Sequence, residues 1–147
     1  SCSAGGACSY NEDVKGGTLV LRFKGSEIGN LKGEWNFYGP GNDGKLASRD
    51  AKFQLSAPGF KNSYVLIAQT LGFPPKVSGE AIAGPYHLET TADKTGEMQL
   101  TMRLNEESAS PVLWMWDGKE LQKIQAEISG KTLTANVRAS GTYLVTK

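Results

Sequence analysis

Three features of the chain point to one fold class. In "GEMQLTMRLN", Met98, Leu100, Met102 and Leu104 alternate strictly with Gln99, Thr101 and Arg103, the period of two that marks a half-buried strand. Eighteen glycines, spread without a collagen period, punctuate short apolar runs as turn residues do. The apolar runs recur at intervals of about ten residues, and no Gly-rich strand-to-helix unit or recurring helix separates them. The expectation is an all-β protein, an antiparallel β-sandwich of Ig-like or Greek-key form with room for one short helix.

Residues 1–15 are small, polar and glycine-rich and read as a tail, so a single sandwich domain is expected over residues 16–147. Gly16-Gly17 open the first strand, "GGTLVLRFKG", which sets Leu19, Leu21 and Phe23 against their neighbours on opposite faces. In "GEWNFYGPGNDGK", Trp35 and Phe37 alternate with Asn36 and Tyr38 before a strong turn from Gly39 to Gly44. "AKFQLSAPG" offers Phe53 and Leu55 to a core. The nearly continuous apolar run in "NSYVLIAQTLGF" fits a buried strand or a short helix, and "GKLASRDAKF" is a second place for a helical turn.

The second half is cleaner. "EAIAGPYHLETTA" reads as a strand broken at Gly84-Pro85, hence at an edge or a bend. "PVLWMW" meets Asp117-Gly118, the signal for a type I′ hairpin, and "KELQKIQAEI" returns. After a turn at Ser129-Gly130, "KTLTANV" puts Leu133, Ala135 and Val137 on one face, and "TYLVT" closes the chain. Within "VLWMW", Val112, Trp114 and Trp116 share one face and Leu113 and Met115 the other. Both faces are apolar, so the segment is expected in the interior, with Trp114 in the core and Trp116 less enclosed beside the turn.

Composition narrows the function classes. Sixteen basic and fifteen acidic residues nearly cancel, so no nucleic acid partner is expected. No apolar run of helix-spanning length occurs, which leaves an N-terminal lipid as the expected means of membrane contact. Both cysteines, Cys2 and Cys8, lie in "SCSAGGACSYN". Cys2, followed by small residues, resembles the lipid-bearing first residue of a mature bacterial lipoprotein. Cys2 and Cys8 can instead close a short disulfide loop across two glycines, an arrangement that excludes lipidation of Cys2. Two unpaired thiols are the third arrangement. The expected location is periplasmic, outer-membrane-associated or extracellular.

The stretches "GPYHLETTA", "GEMQLTMRL", "PVLWMWDGKELQKI" and "KTLTANVRASGTYLV" together resemble a β-sandwich module of the zonula-occludens/uncoordinated type. That module is seen in secreted bacterial proteins, with relatives in ankyrins, netrin receptors and tight-junction proteins. The resemblance covers under half of the chain and implies a sandwich for attachment or interaction. Self-cleaving relatives carry a His-Phe-Ser-like tripeptide near the last strands. Arg138, Ala139 and Ser140 stand there in this chain, without a histidine, so self-cleavage is not implied.

Catalytic signatures are sparse. His87 is the single histidine, too few for a zinc-protease or facial-triad site, and no Gly-x-Ser-x-Gly elbow supplies a nucleophile. The acidic stretches "NED" at 11–13, "GNDG" at 41–44 and "NEES" at 105–108 lack calcium-loop spacing, and no phosphate-binding glycine loop occurs. No metal, no cofactor and no catalytic residue is therefore expected. The expected role is a non-catalytic binding or structural module of the cell envelope, with an envelope protein or a glycan as partner. Two alternatives remain: a carbohydrate- or small-ligand-binding domain using Trp35, Tyr38 and Trp116 as a stacking surface, and a small hydrolase with a carboxylate pair.

Overall fold

A computed structural model describes residues 5–6, 13–25, 29–93, 96–138 and 140–147. Among these residues twelve strands follow in order: β1 (Gly16–Arg22), β2 (Asn30–Tyr38), β3 (Lys45–Ala47), β4 (Phe53–Ser56), β5 (Val65–Gln69), β6 (Ala81–Thr90), β7 (Met98–Arg103), β8 (Val112–Trp116), β9 (Leu121–Ile124), β10 (Glu127–Ser129), β11 (Thr132–Val137) and β12 (Gly141–Thr146). They form a seven-stranded sheet, β1-β2-β5-β6-β12-β8-β9, and a five-stranded sheet, β10-β11-β7-β4-β3, antiparallel throughout. The protein is an antiparallel β-sandwich. Its two halves interleave, because β4 pairs with β7 and β5 with β6.

The strict alternation of the sequence decides which side chains enter the space between the sheets. Leu133, Met102 and Phe53 form one register row inside the small sheet, and Ala135, Leu100, Leu55 and Leu46 form the next. All seven are buried. Opposite them the large sheet contributes Ile67, Tyr86, Leu88, Leu113, Met115, Tyr143 and Val145. Phe53 spans the gap, with its ring 5.5 Å from Tyr86 and 5.9 Å from Tyr143, both tilted as aromatic quadrupoles prefer.

A polar latch closes one side of this core. Asp50, in the turn between β3 and β4, accepts hydrogen bonds from the hydroxyls of Ser48 (2.6 Å) and Tyr86 (2.7 Å), from Gln69 Nε2 (3.0 Å) and from the Lys52 N–H (3.1 Å). The turn of one sheet is thereby tied to β5 and β6 of the other. Partial burial pushes the Asp50 carboxyl up, but the donors from Ser48, Tyr86, Lys52 and Gln69 outweigh it and hold the group below its usual range. The Tyr86 phenol moves upward, through burial and then through its bond to the Asp50 carboxylate.

Local assignments left open by periodicity resolve here. "NSYVLIAQTLGF" forms strand β5, and "GKLASRDAKF" forms β3 and a tight turn rather than a helix. The short helical element is a 3-10 turn at Pro58–Phe60, set by Pro58 at its start. Gly84-Pro85 marks a bend but not an edge, since β6 is central in the seven-stranded sheet. Gly84 (φ +80°) comes so close to β12 that a Cβ would sit 2.7 Å from the Tyr143 carbonyl oxygen.

The hairpin after Trp116 also departs from expectation. Asp117 and Glu120 face one another through an N–H to carbonyl bond (3.3 Å), so the loop residues are Gly118 and Lys119. Only Gly118, at +98°, takes positive φ there, which a type I′ turn at Asp117-Gly118 would not allow. The Asp117 carboxylate is occupied instead by the N–H groups of Glu120 (2.7 Å) and Lys119 (2.8 Å), which hold its pKa below the usual range.

Candidate ligand-binding face

Side chains of the large sheet that point away from the core form an aromatic and aliphatic surface. One register row crosses six strands: Trp116, Thr142, His87, Ala68, Trp35 and Gly17. Paired residues in a sheet share a face, so Trp35 and Trp116 lie on the same outer side. Tyr38 does not. It alternates onto the inner side, where its hydroxyl donates to the Ala47 carbonyl (2.9 Å) and accepts from the Ala47 N–H (3.0 Å). Cys2 and Cys8, named above for lipidation or a disulfide, lie outside the described residues.

Trp35 and Trp116 do not converge on one small pocket. Four strand spacings of about 4.8 Å put them about 19 Å apart. Sheet twist of about 20–25° per strand turns their local surfaces about 80–100° relative to one another. Two patches result, each with further aromatics. Around Trp35, the Phe37 ring stacks on Tyr64 with centroids 5.6 Å apart and planes 15° from parallel. An open depression of about 590 Å³ adjoins Phe37, lined also by Lys15 and by residues 38–42.

The Trp35 indole packs against β1 at a residue that has no side chain. A Cβ on Gly17 would fall 2.7 Å from Trp35 Cζ2 and 2.9 Å from Cε2, so only glycine lets the ring settle on the β1 backbone. Trp35 is half-buried in that position.

At the second patch, Trp114 and Trp116 stand two residues apart on β8 and are both half-buried. This corrects the expectation of a core position for Trp114: Leu113 and Met115 enter the interior, and both indoles turn outward. Trp114 Nε1 donates to Thr146 Oγ1 (2.9 Å), which lays the indole along β12. Leu144, paired with Trp114, is fully buried although it faces away from the central core. A small second apolar cluster therefore sits on the outside of the sheet.

His87 connects the patches. Its Nδ1 is 3.0 Å from Thr142 Oγ1, and its Nε2 is 3.5 Å from the Glu89 carboxylate. The order hydroxyl, imidazole, carboxylate matches a nucleophilic relay, but the setting differs from one. Thr142 is only 8% exposed, and its strand is paired on both sides, with His87 of β6 and Trp116 of β8. Elsewhere, Glu80 and Glu106 approach one another around the Lys147 ammonium, which bonds to both and offsets one of their two charges. What the outer face offers chemically is stacking and van der Waals contact, with one imidazole as a polar centre.

No family model, curated protein or solved structure matches the chain.

Proposed function

We propose that this protein is a non-catalytic binding module of the bacterial cell envelope or its exported surroundings, and that the outer face of the seven-stranded sheet is its binding surface. One observation carries the reading: Trp35, Phe37, Tyr64, Trp114 and Trp116 stand on a sheet face where water would ordinarily select polar side chains. Rims of His87, Glu89 and Lys123 supply polar contacts at intervals. Export accords with the resemblance to secreted sandwich modules, and Cys2 offers either a lipid attachment point or a partner for Cys8.

Within this reading, a glycan is the ligand class that the half-buried Trp35 indole favours. Sugar rings have apolar faces that stack on an exposed π surface, whereas a protein partner gains most from protruding anchors in pockets. Titration of wild type, Trp35→Ala and Trp116→Ala with soluble envelope glycans, read by calorimetry, tests the proposal. Each substitution should weaken binding at least tenfold while the fold survives. Equal affinity of all three proteins would remove the outer face as the binding surface.

A further inference from the structure

The four sheet edges are unequal. β9, β10 and β3 are four, three and three residues long, the usual way of blunting an edge. β1 is seven residues long, contains no proline, and among the described residues no strand pairs with its outer side. It also concentrates exposed apolar surface: Leu19 (52% exposed), Val20 and Leu21, with Phe23 just beyond its end, are all open to solvent.

Backbone direction sharpens the point. The Phe37 N–H donates to the Lys15 carbonyl and the Phe23 N–H to the Gly29 carbonyl, both at 2.9 Å. In an antiparallel ladder alternate residues turn their polar groups to the same neighbour, so Lys15, Gly17, Leu19, Leu21 and Phe23 address β2. The N–H and C=O groups of Gly16, Thr18, Val20 and Arg22 consequently point to the free edge. These four residues are symmetric about Leu19.

We propose that this edge is an interface with a second copy of the chain, formed by antiparallel β1–β1 pairing on a two-fold axis at Leu19. In that register Thr18 meets Val20 of the second copy and Gly16 meets Arg22, each pair exchanging two hydrogen bonds. All the free groups of the strand find partners, and a shift of two residues either way leaves some without one. The side chains fit the same register. Leu19 packs on its own copy, Leu21 falls opposite Gly17 and beside the Trp35 indole that covers it, and Thr18 lies beside Val20. Lys15 falls opposite Phe23 and Arg22 opposite Gly16, where an Arg49 guanidinium nitrogen lies 3.2 Å from the position of a Cβ, so Arg22 of the second copy must extend past Arg49 into solvent.

The pairing also bears on the aromatic face. Because the Trp35 indole rests on Gly17, the incoming Leu21 borders that ring, and the two large sheets become continuous. The dimer does not depend on the glycan reading and is tested without any ligand.

Three full-length proteins decide it, in a background where Cys2 and Cys8 are serine. Sedimentation of the parent should show a monomer–dimer equilibrium below about 1 mM. Val20→Pro removes an N–H that addresses only the free edge, so it should remain folded by circular dichroism and become monomeric. Leu19→Cys places two thiols at a non-hydrogen-bonded pair with Cα atoms about 4.5 Å apart, within disulfide reach. It should oxidise to a covalent dimer far faster than Lys123→Cys on the short edge strand β9. A parent that stays monomeric, a dimer that survives Val20→Pro, oligomers larger than two, or equal cross-linking at positions 19 and 123 would each overturn the pairing.

Discussion

Turned away from the core, the five-stranded sheet shows Asn136, Gln99, Ser56 and Lys45 in one register row and Thr134, Thr101, Gln54 and Ala47 in the next. The seven-stranded sheet shows Trp116, Thr142, His87, Ala68 and Trp35 in its corresponding direction, with Leu144 and Trp114 alongside. Both sheets bury the same kind of inner face against one interior. The inner alternation is thus a requirement of folding, and it carries no information about use. The outer residues are free of that requirement. Hydroxyls and amides on the small sheet are what water selects. Indoles on the large sheet leave apolar area in contact with water at roughly 25 cal/mol per Å², which a ligand or partner would relieve.

The largest expected effect comes from the outer apolar cluster. If Leu144 is a packed residue despite facing away from the core, Leu144→Ala should cost about 2–5 kcal/mol in chemical denaturation. Thr101→Ala, central on the outer face of the small sheet, should change stability by no more than about 0.5 kcal/mol. Similar losses at the two positions would erase the contrast between the faces.

The latch between the sheets should come next. Asp50→Ala leaves the buried Tyr86 hydroxyl without its acceptor and should cost about 1–3 kcal/mol at neutral pH, towards the low end because the carboxylate is partly solvated. The sign of the pH effect follows from the direction of the shift. A carboxyl whose pKa is lower in the folded than in the unfolded chain adds stability above the unfolded value of about 3.9. That stability is lost as pH falls through the folded value. Wild type should therefore lose more stability than Asp50→Ala between neutral pH and pH about 3. Parallel acid limbs would show that Asp50 is not the titrating group.

Trp114→Phe keeps an aromatic ring above Leu144 but removes the Nε1 donor to Thr146, and should cost about 1 kcal/mol. Loss of the whole ring in Trp114→Ala should cost more, by uncovering Leu144. If phenylalanine and alanine are equally damaging, the hydrogen bond rather than the covering ring holds the cluster together.

Sequence pattern revealed the sandwich because most strands obey alternation with polar partners: β7 and β11 are legible residue by residue. Pattern failed where both faces of a strand are apolar. In "VLWMW" nothing in the spacing says whether Leu113 and Met115 or the two tryptophans face the core. Sheet position settles it: β8 lies beside β12, whose Tyr143 and Val145 enter the interior in register with Met115 and Leu113. The same limit explains the candidate stacking group. Alternation already separates Trp35 from Tyr38 onto opposite faces, but only the strand order places Trp35 and Trp116 on one side. Phe37 was visible as a companion of Trp35 by spacing, while Tyr64 joins it through the β2–β5 pairing. Asp50 had no signature, because its donors come from residues 2, 19 and 36 positions away.

The smallest stability change should accompany the most specific optical one. Gly17→Ala adds a methyl where Trp35 Cζ2 would be 2.7 Å away, so the indole must lift. β1 is an edge strand, and the ring can rotate outward, so the change in unfolding free energy should stay within about 1 kcal/mol. Trp35 emission should shift to the red and become more accessible to acrylamide, and under the proposed glycan reading affinity should fall as the ring leaves its seat on β1. Using Trp114→Phe and Trp116→Phe together isolates the Trp35 signal. An unchanged spectrum would mean that the ring does not rest on Gly17, and the argument for a stacking surface at that patch would go with it.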